Sequence, residues 1–211
     1  MIQSPTLILA SASPRRSDLL ASLNLPFTVL PANIDERSLP GEQPAESAKR
    51  VALGKAEAAL LLTREGLVLG ADTIVVFDGA VLGKPKDRQE ALVMLGTLRG
   101  REHAVLTAIA IISQEMGRIY SSVVTTRVWL RNYSDAELAA YVDSGDPFDK
   151  AGAYAIQNSA FHPVTRLEGC YNNVVGLPLC EVVKGLLVVG YPAAALPADR
   201  IEQICPHNVN L

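Results

Sequence analysis

Apolar and polar positions alternate along this chain in two rhythms, short buried runs and longer helical stripes. Thr6 to Ala10 is an apolar run of strand length. Ser13-Pro14 then supplies a helix N-cap and a first-turn proline, and Leu19, Leu20 and Leu23 carry an apolar face to Asn24. Phe27 to Pro31 reads as a second short strand and Asp35 to Pro44 as a polar loop. Ala45 to Arg64, rich in Ala and Leu, predicts a long helix. Leu67 to Gly70 is a strand running through Ala71-Asp72-Thr73 into Ile74 to Phe77. Asp78-Gly79 is a hairpin signal, with Ala80 to Leu82 returning.

The second half follows the same logic. Asp87 to Leu98 predicts an amphipathic helix ending at Gly100. His103 to Ser113 and Ile119 to Arg131 predict two long strands, the second with Val123, Thr125, Arg127 and Trp129 on one face. Ser134-Asp135-Ala136-Glu137 is a capping box opening a helix to about Ser144. Asp146 to Gly152 is a loop. Val174 to Val189 closes the fold, with Gly176 and Pro178 marking a turn into the last helix. Strands alternating with helices make this an α/β chain. The pattern shows no repeat or separable linker, so residues 1–190 read as one domain with two lobes and 191–211 as a peripheral, proline-containing tail.

Composition narrows the classes. The chain has 211 residues, 49% hydrophobic and 19% charged, which excludes a disordered, charge-rich protein. The net charge of −3 argues against a protein that coats a nucleic-acid polymer, while leaving room for a small anionic substrate. Cys170, Cys180 and Cys205 are odd in number and lack CxxC spacing. They read as reduced thiols in a cytoplasmic setting, supporting neither a disulfide framework nor a zinc ribbon. The start lacks a basic n-region and no apolar stretch has bilayer length, so a soluble protein without a membrane partner is expected.

Several segments carry chemistry. In Ser11-Ala12-Ser13-Pro14-Arg15-Arg16, two arginines occupy the positive end of a helix, an unfavourable placement unless the turn holds an anion. They read equally as solvated surface residues. Asp72 ends an apolar strand among small residues, where a catalytic carboxylate or metal ligand often sits, though an Asp capping a turn looks the same. Glu36 is a second acid just past a strand, or a plain loop acid. Lys84, in Gly83-Lys84-Pro85, is presented by a stiff turn that is not a Walker A loop. Lys55 lies on an apolar helix, held near an anion or snorkelling to water. Gln157 offers both a donor and an acceptor to a base edge, or is an ordinary edge-strand glutamine. His103, His162 and His207 form no ligand spacing, and no GxSxG motif anchors a serine nucleophile.

Taken in order, these segments resemble the Maf family of nucleoside triphosphate pyrophosphatases. The resemblance rests on Leu9 to Arg16 with Leu19-Leu20, Ile34-Asp35-Glu36, Lys55-Ala56, Gly70-Ala71-Asp72-Thr73, Gly83-Lys84-Pro85, Asp149 to Tyr154 and Asn173 to Pro178, spanning about residues 7–188. It implies an elongated mixed β-sheet flanked by helices, with two lobes around a deep cleft, of the Maf and ITPase-like kind. It also implies cleavage of a nucleoside triphosphate to the monophosphate and pyrophosphate with a divalent cation, Mg²⁺ or Mn²⁺. The family's catalytic base falls on Asp72, its conserved acid on Glu36, and its phosphate-binding lysines on Lys55 and Lys84. Glu36 and Asp72 would hold the metal, and Ser11, Ser13, Arg15 and Arg16 would form the phosphate turn.

Two specificities are known in the family. Arg15, Thr73 and Gln157 resemble the selector residues of the dTTP/UTP branch, which would extend to modified pyrimidine nucleotides in a house-cleaning role. The 7-methyl-GTP branch carries an aromatic residue, Gln and Glu there. The chain departs from the family at Asn158-Ser159-Ala160, where Gly usually follows the selector glutamine, and in the tail. The alternatives are 7-methyl-GTP specificity and a nucleotide-binding regulator of septum formation with incidental hydrolysis. An exposed strand edge would permit a homodimer.

Overall fold

Residues 5–63, 66–196 and 201–207 are described by a computed structural model; Arg64 of the expected long helix and both chain ends lie outside them. The first apolar run forms β1 (Leu7–Leu9), followed by α1 (Pro14–Ala21), β2 (Phe27–Val29) and α2 (Pro44–Thr63). Next come β3 (Leu67–Phe77), β4 (Ala80–Leu82), α3 (Arg88–Leu98), β5 (Glu102–Ser113), β6 (Arg118–Leu130) and α4 (Asp135–Asp143). The chain then passes through two short 3₁₀ turns into β7 (Val164–Glu168), α5 (Tyr171–Val175), α6 (Leu179–Val188) and α7 (Ile201–Ile204).

The strands form one mixed seven-stranded sheet in the order β2-β1-β3-β5-β6-β7, with β4 paired to β3. β1 runs parallel to β2 and β3, and the other pairings are antiparallel. The mixed α/β sheet flanked by helices is the fold class the sequence predicted. Asp78-Gly79 makes the expected hairpin, both residues at positive φ (48° and 79°) as a tight two-residue turn requires. The capping box of α4 is formed, with Ser134 and Glu137 each bonding the other's backbone. β7 was not anticipated: its exposed Thr165 and Arg166 interrupt the apolar pattern, and pairing to β6 supplies what periodicity does not. The closing stretch divides as expected, because Gly176 at φ +128° ends α5 and Pro178 precedes α6.

Three apolar clusters hold the sheet. Leu7, Leu9, Leu67, Leu69, Ile109 and Ile111 face α1 and α6, through Leu20, Leu23, Val182 and Leu186. The alternate residues Ile8, Val68, Ala108 and Ala110 face α2, whose Ala48, Ala52, Ala56 and Ala59 present a flat surface. Further along the same long strands, Val75, Val105 and Val128 build a third cluster with α3, α4 and Tyr133, Tyr141 and Phe161. At roughly 25 cal/mol per Å² of apolar surface, each fully buried leucine contributes about 2 kcal/mol. The tail, expected at the periphery, places Tyr191, Leu196 and Cys205 in the first cluster. β3 thus serves one pair of cores with its first half and another with its second. Asp72 and Thr73 sit at the junction.

Candidate active site

That junction opens into a cleft of about 560 Å³. It is lined by every residue singled out from the sequence: Ser11, Ser13, Arg15, Arg16, Glu36, Lys55, Asp72, Thr73, Lys84 and Gln157. Strand alternation places them. Val68, Gly70 and Asp72 point toward α2, while Leu67, Leu69, Ala71 and Thr73 point toward α1. At Gly70 the helix comes so close that a Cβ would lie 2.1 Å from the Ala52 carbonyl oxygen and 2.8 Å from the Ala56 nitrogen. This close approach brings Lys55, between those two alanines, onto the next inward residue of β3, Asp72.

Lys55 is buried, and its Nζ lies 2.9 Å from Asp72 Oδ1 and 3.0 Å from Glu36 Oε1. Two carboxylates from different segments therefore converge on one ammonium. Glu36, on the loop after β2, is half exposed, whereas Asp72 is nearly enclosed.

On the opposite face of β3, Arg16 occupies the third position of α1. Its Nε donates to the Gly176 carbonyl (2.9 Å), Nη1 to Ser11 Oγ (3.1 Å) and the Ala71 carbonyl (2.9 Å), and Nη2 to Thr73 Oγ1 (3.0 Å). Four of its five N–H groups are committed to the protein, leaving one for a ligand. Burial lowers its pKa, and the charges of Asp72 and Glu36 oppose that fall.

The proton inventory of Thr73 is also constrained. Thr107 Oγ1 donates its single proton to the Asn173 carbonyl (2.8 Å). In the 2.9 Å contact between Thr73 and Thr107 the donor must then be Thr73. With Arg16 on one lone pair, Thr73 retains only acceptor capacity. Ser11 is the reverse: its oxygen already accepts from Arg16 and from the Ser13 N–H, so its own proton remains to be given.

Ser13 stands at the N-cap of α1 as expected, but its hydroxyl makes no capping bond and Pro14 has no N–H. The amides of Arg15 and Arg16 have no acceptor among the described residues, leaving the positive helix end directed at the cleft. Arg15 reaches across to Asp149, Nη1 to Oδ2 at 2.8 Å. Asp149 also takes Lys150 Nζ at 2.6 Å, and Lys150 bonds Asp146 Oδ1 at 3.0 Å. Burial pushes the Asp149 carboxyl up, but the bonds from Lys150 and Arg15 outweigh it and hold the carboxyl below its usual range.

Lys84 is exposed at the rim, without an ion pair among the described residues. Gln157 lies in a turn, so the alternative of an edge-strand glutamine does not hold: the chain after Tyr154 pairs with no strand until Val164. Its exposed side chain makes no hydrogen bond among the described residues. Sequence reasoning quoted Asp149, Lys150 and Asn173 within motifs but gave them no role, and it did not single out Thr107. Asp149 and Lys150 form an ion network at the cleft, and Thr107 and Asn173 fix Thr73 from behind. Asn173 accepts from the Thr107 N–H and donates both amide protons, to the Val105 carbonyl and to Thr126 Oγ1. The Asp-Lys pair before Ala-Gly was a readable signal; Thr107 inside an apolar strand was a weaker one. Deeper still, Tyr154 contacts His103 Nε2 at 2.7 Å, and burial pushes His103 down to about 4.

A mixed α/β sheet whose cleft sets a helix end, arginines and lysines beside converging carboxylates is the architecture of a protein that handles a multiply charged anion. The chain belongs to the Maf family: the family model described as "Maf-like protein" matches residues 6–188. It is 50% identical over 189 residues to the dTTP/UTP pyrophosphatase of Geobacter sp. (strain M21), covering 90% of this chain and 98% of that one. It is 49% identical over 189 residues to the dTTP/UTP pyrophosphatase of Citrifermentans bemidjiense, again covering 90% and 98%. Among solved structures, the Staphylococcus aureus Ham1 protein aligns with a TM-score of 0.40 at 15% identity, over 60% of this chain and 72% of that one. No helix among the described residues is long and apolar enough to cross a membrane.

Proposed function

We propose that this chain hydrolyses dTTP, UTP and related pyrimidine nucleoside triphosphates to the monophosphate and pyrophosphate. The convergence of Glu36 and Asp72 on one point beside the anion-receiving end of α1 carries this reading. The names of the half-identical relatives support it.

Asp72 is the base. It orients a water and takes its proton as the water oxygen bonds to the α-phosphorus and the bond to the β-phosphate bridging oxygen breaks. Pyrophosphate departs with that electron pair. Lys84, the last N–H of Arg16, the Ser11 hydroxyl and the α1 amides receive the charge that develops on the phosphates. The donor set fits a divalent cation of the Mg²⁺ or Mn²⁺ kind. Two carboxylate oxygens already share a single cationic neighbour, and hard oxygen ligands are what such ions take. When bound there by Glu36 and Asp72, the ion supplies Lewis-acid stabilisation of phosphoryl oxygens.

The acceptor-only state of Thr73 matches the imide N–H of thymine or uracil, and Gln157 offers an amide to the base carbonyls. Arg15 completes the selector from across the cleft. A cytoplasmic address fits three free thiols.

The test is pyrophosphate release from dTTP, UTP, CTP, dATP, GTP, 7-methyl-GTP and pseudo-UTP, with Mg²⁺, Mn²⁺ or EDTA. Metal-dependent release favouring dTTP and UTP is expected, with Asp72→Asn lowering turnover about 10²–10⁴-fold while the fold persists. Preference for 7-methyl-GTP would overturn the selector. Near-normal turnover in the Asn variant would overturn the base.

A further inference from the structure

Away from the cleft, four metal-ligating side chains from three segments meet where the tail returns to the sheet. Cys170 is the N-cap of α5, Cys180 is in the first turn of α6, and Cys205 and His207 follow α7. The tail is pinned there by an antiparallel bridge between Cys170 and His207, by the Tyr171 N–H on the Pro206 carbonyl, and by Asn172 Nδ2 on the Ile204 carbonyl. Ligand atoms of Cys170, Cys205 and His207 all lie within 4.8 Å of one another. Cys180 Sγ is 3.4 Å from His207 Nε2, and the Cys180 N–H points at Cys205 Sγ.

We infer that Cys170, Cys180, Cys205 and His207 form a structural zinc site. Three thiolates and an imidazole are a standard closed donor set for tetrahedral zinc. With Zn–S near 2.3 Å and Zn–N near 2.0 Å, neighbouring donors stand about 3.5–3.8 Å apart. The Cys180–His207 separation already matches, and the Cys170–Cys205 pair, at 3.2 Å, needs to open only slightly. A disulfide accounts for less. The two sulfurs are farther apart than the ~2.05 Å bond, and joining them leaves Cys180 and His207 without a purpose. Plain core packing accounts for the buried Cys170 and Cys205 but not for an imidazole clustered with their sulfurs and a third thiol 3.4 Å from that imidazole. On coordination each thiol releases its proton to solvent, and the ion with three thiolates carries a net charge of −1. Sequence spacing hid the site because only Cys205 and His207 are near neighbours in the chain. Its position ties the tail to the start of α5, the helix whose end presents the Gly176 carbonyl to Arg16.

The experiment is elemental analysis of the full chain purified from zinc-supplemented culture, with cobalt substitution as an optical readout. One zinc per chain is expected, with the intense visible absorption of tetrahedral cobalt thiolate after exchange. Cys180→Ser and His207→Ala, at incompletely buried positions, should lower zinc retention at least tenfold while circular dichroism stays native. Protein that carries no zinc when purified without chelator from that culture, and that takes up neither zinc nor cobalt after reduction, would overturn the site. So would a Cys170–Cys205 crosslink in a non-reducing peptide map, or full zinc retention in the Cys180→Ser/His207→Ala double variant.

Discussion

Lys55→Met asks whether the buried ammonium stands where a divalent cation would bind. Methionine keeps the length and apolar stem of the lysine but removes the charge between Asp72 Oδ1 and Glu36 Oε1. Stranding one member of a buried ion pair costs about 3–5 kcal/mol. The lower end applies here, because Glu36 is half exposed and Asp72 borders the cleft. For a chain of 211 residues, about 3 kcal/mol lowers the melting temperature by roughly 6–12 °C. A ligand at a hundred times its Kd returns about 2.7 kcal/mol, so saturating Mg²⁺ or Mn²⁺ should restore most of the loss. In the unaltered protein the same ion must displace the ammonium first, and the gain should be smaller. Thermal unfolding across a cation titration reads both quantities without any turnover. A variant whose response to the ion equals that of the unaltered protein would refute the shared position. A variant no less stable in EDTA would refute the energetic argument.

The two arginines of the α1 turn should separate cleanly. Arg16→Ala orphans two carbonyls and two hydroxyls at the base of the cleft and should lower urea-unfolding stability by more than 2 kcal/mol. Arg15→Ala breaks a partly exposed pair and should stay within about 1 kcal/mol, raising KM for dTTP instead. His103 gives a pH window. Its folded value of about 4 lies below the unfolded value near 6.5, so the unfolded state binds the extra proton between them. Stability should fall as pH drops through that window, by at most about 3 kcal/mol, and His103→Gln should flatten the profile in urea titrations at stepped pH. Gly70→Ala places a methyl against backbone that cannot yield, and should cost several kcal/mol, seen as a lowered melting temperature; an unchanged one would contradict the contact.

How much of this was legible before the structure depends on the range of the interaction involved. Helix and strand positions follow local rules, and Pro44–Thr63, the Asp78-Gly79 turn and the Ser134 capping box emerged within a residue or so of expectation. The cleft residues were found by type and order. Their partners were not: that Lys55 bridges two acids, or that Arg16 spends four donors on the protein, depends on α2 and α1 crossing opposite faces of β3. β7 escaped because its pairing with β6 is long-range and its own pattern is half polar. Gln157 looked strand-like because Ala155 and Ile156 before it are apolar, yet no strand lies beside them to pair with.

Asp149, shared by Arg15 and Lys150, has a consequence for how the cleft meets a polyanion in salt water. Arginine and lysine charges already matched by a carboxylate of the same molecule gather few counter-ions from solution. An incoming triphosphate then trades places with an internal anion instead of dispersing a cloud of dissolved ones. Its affinity should therefore decline more gently with ionic strength than the number of cations lining the cleft would suggest.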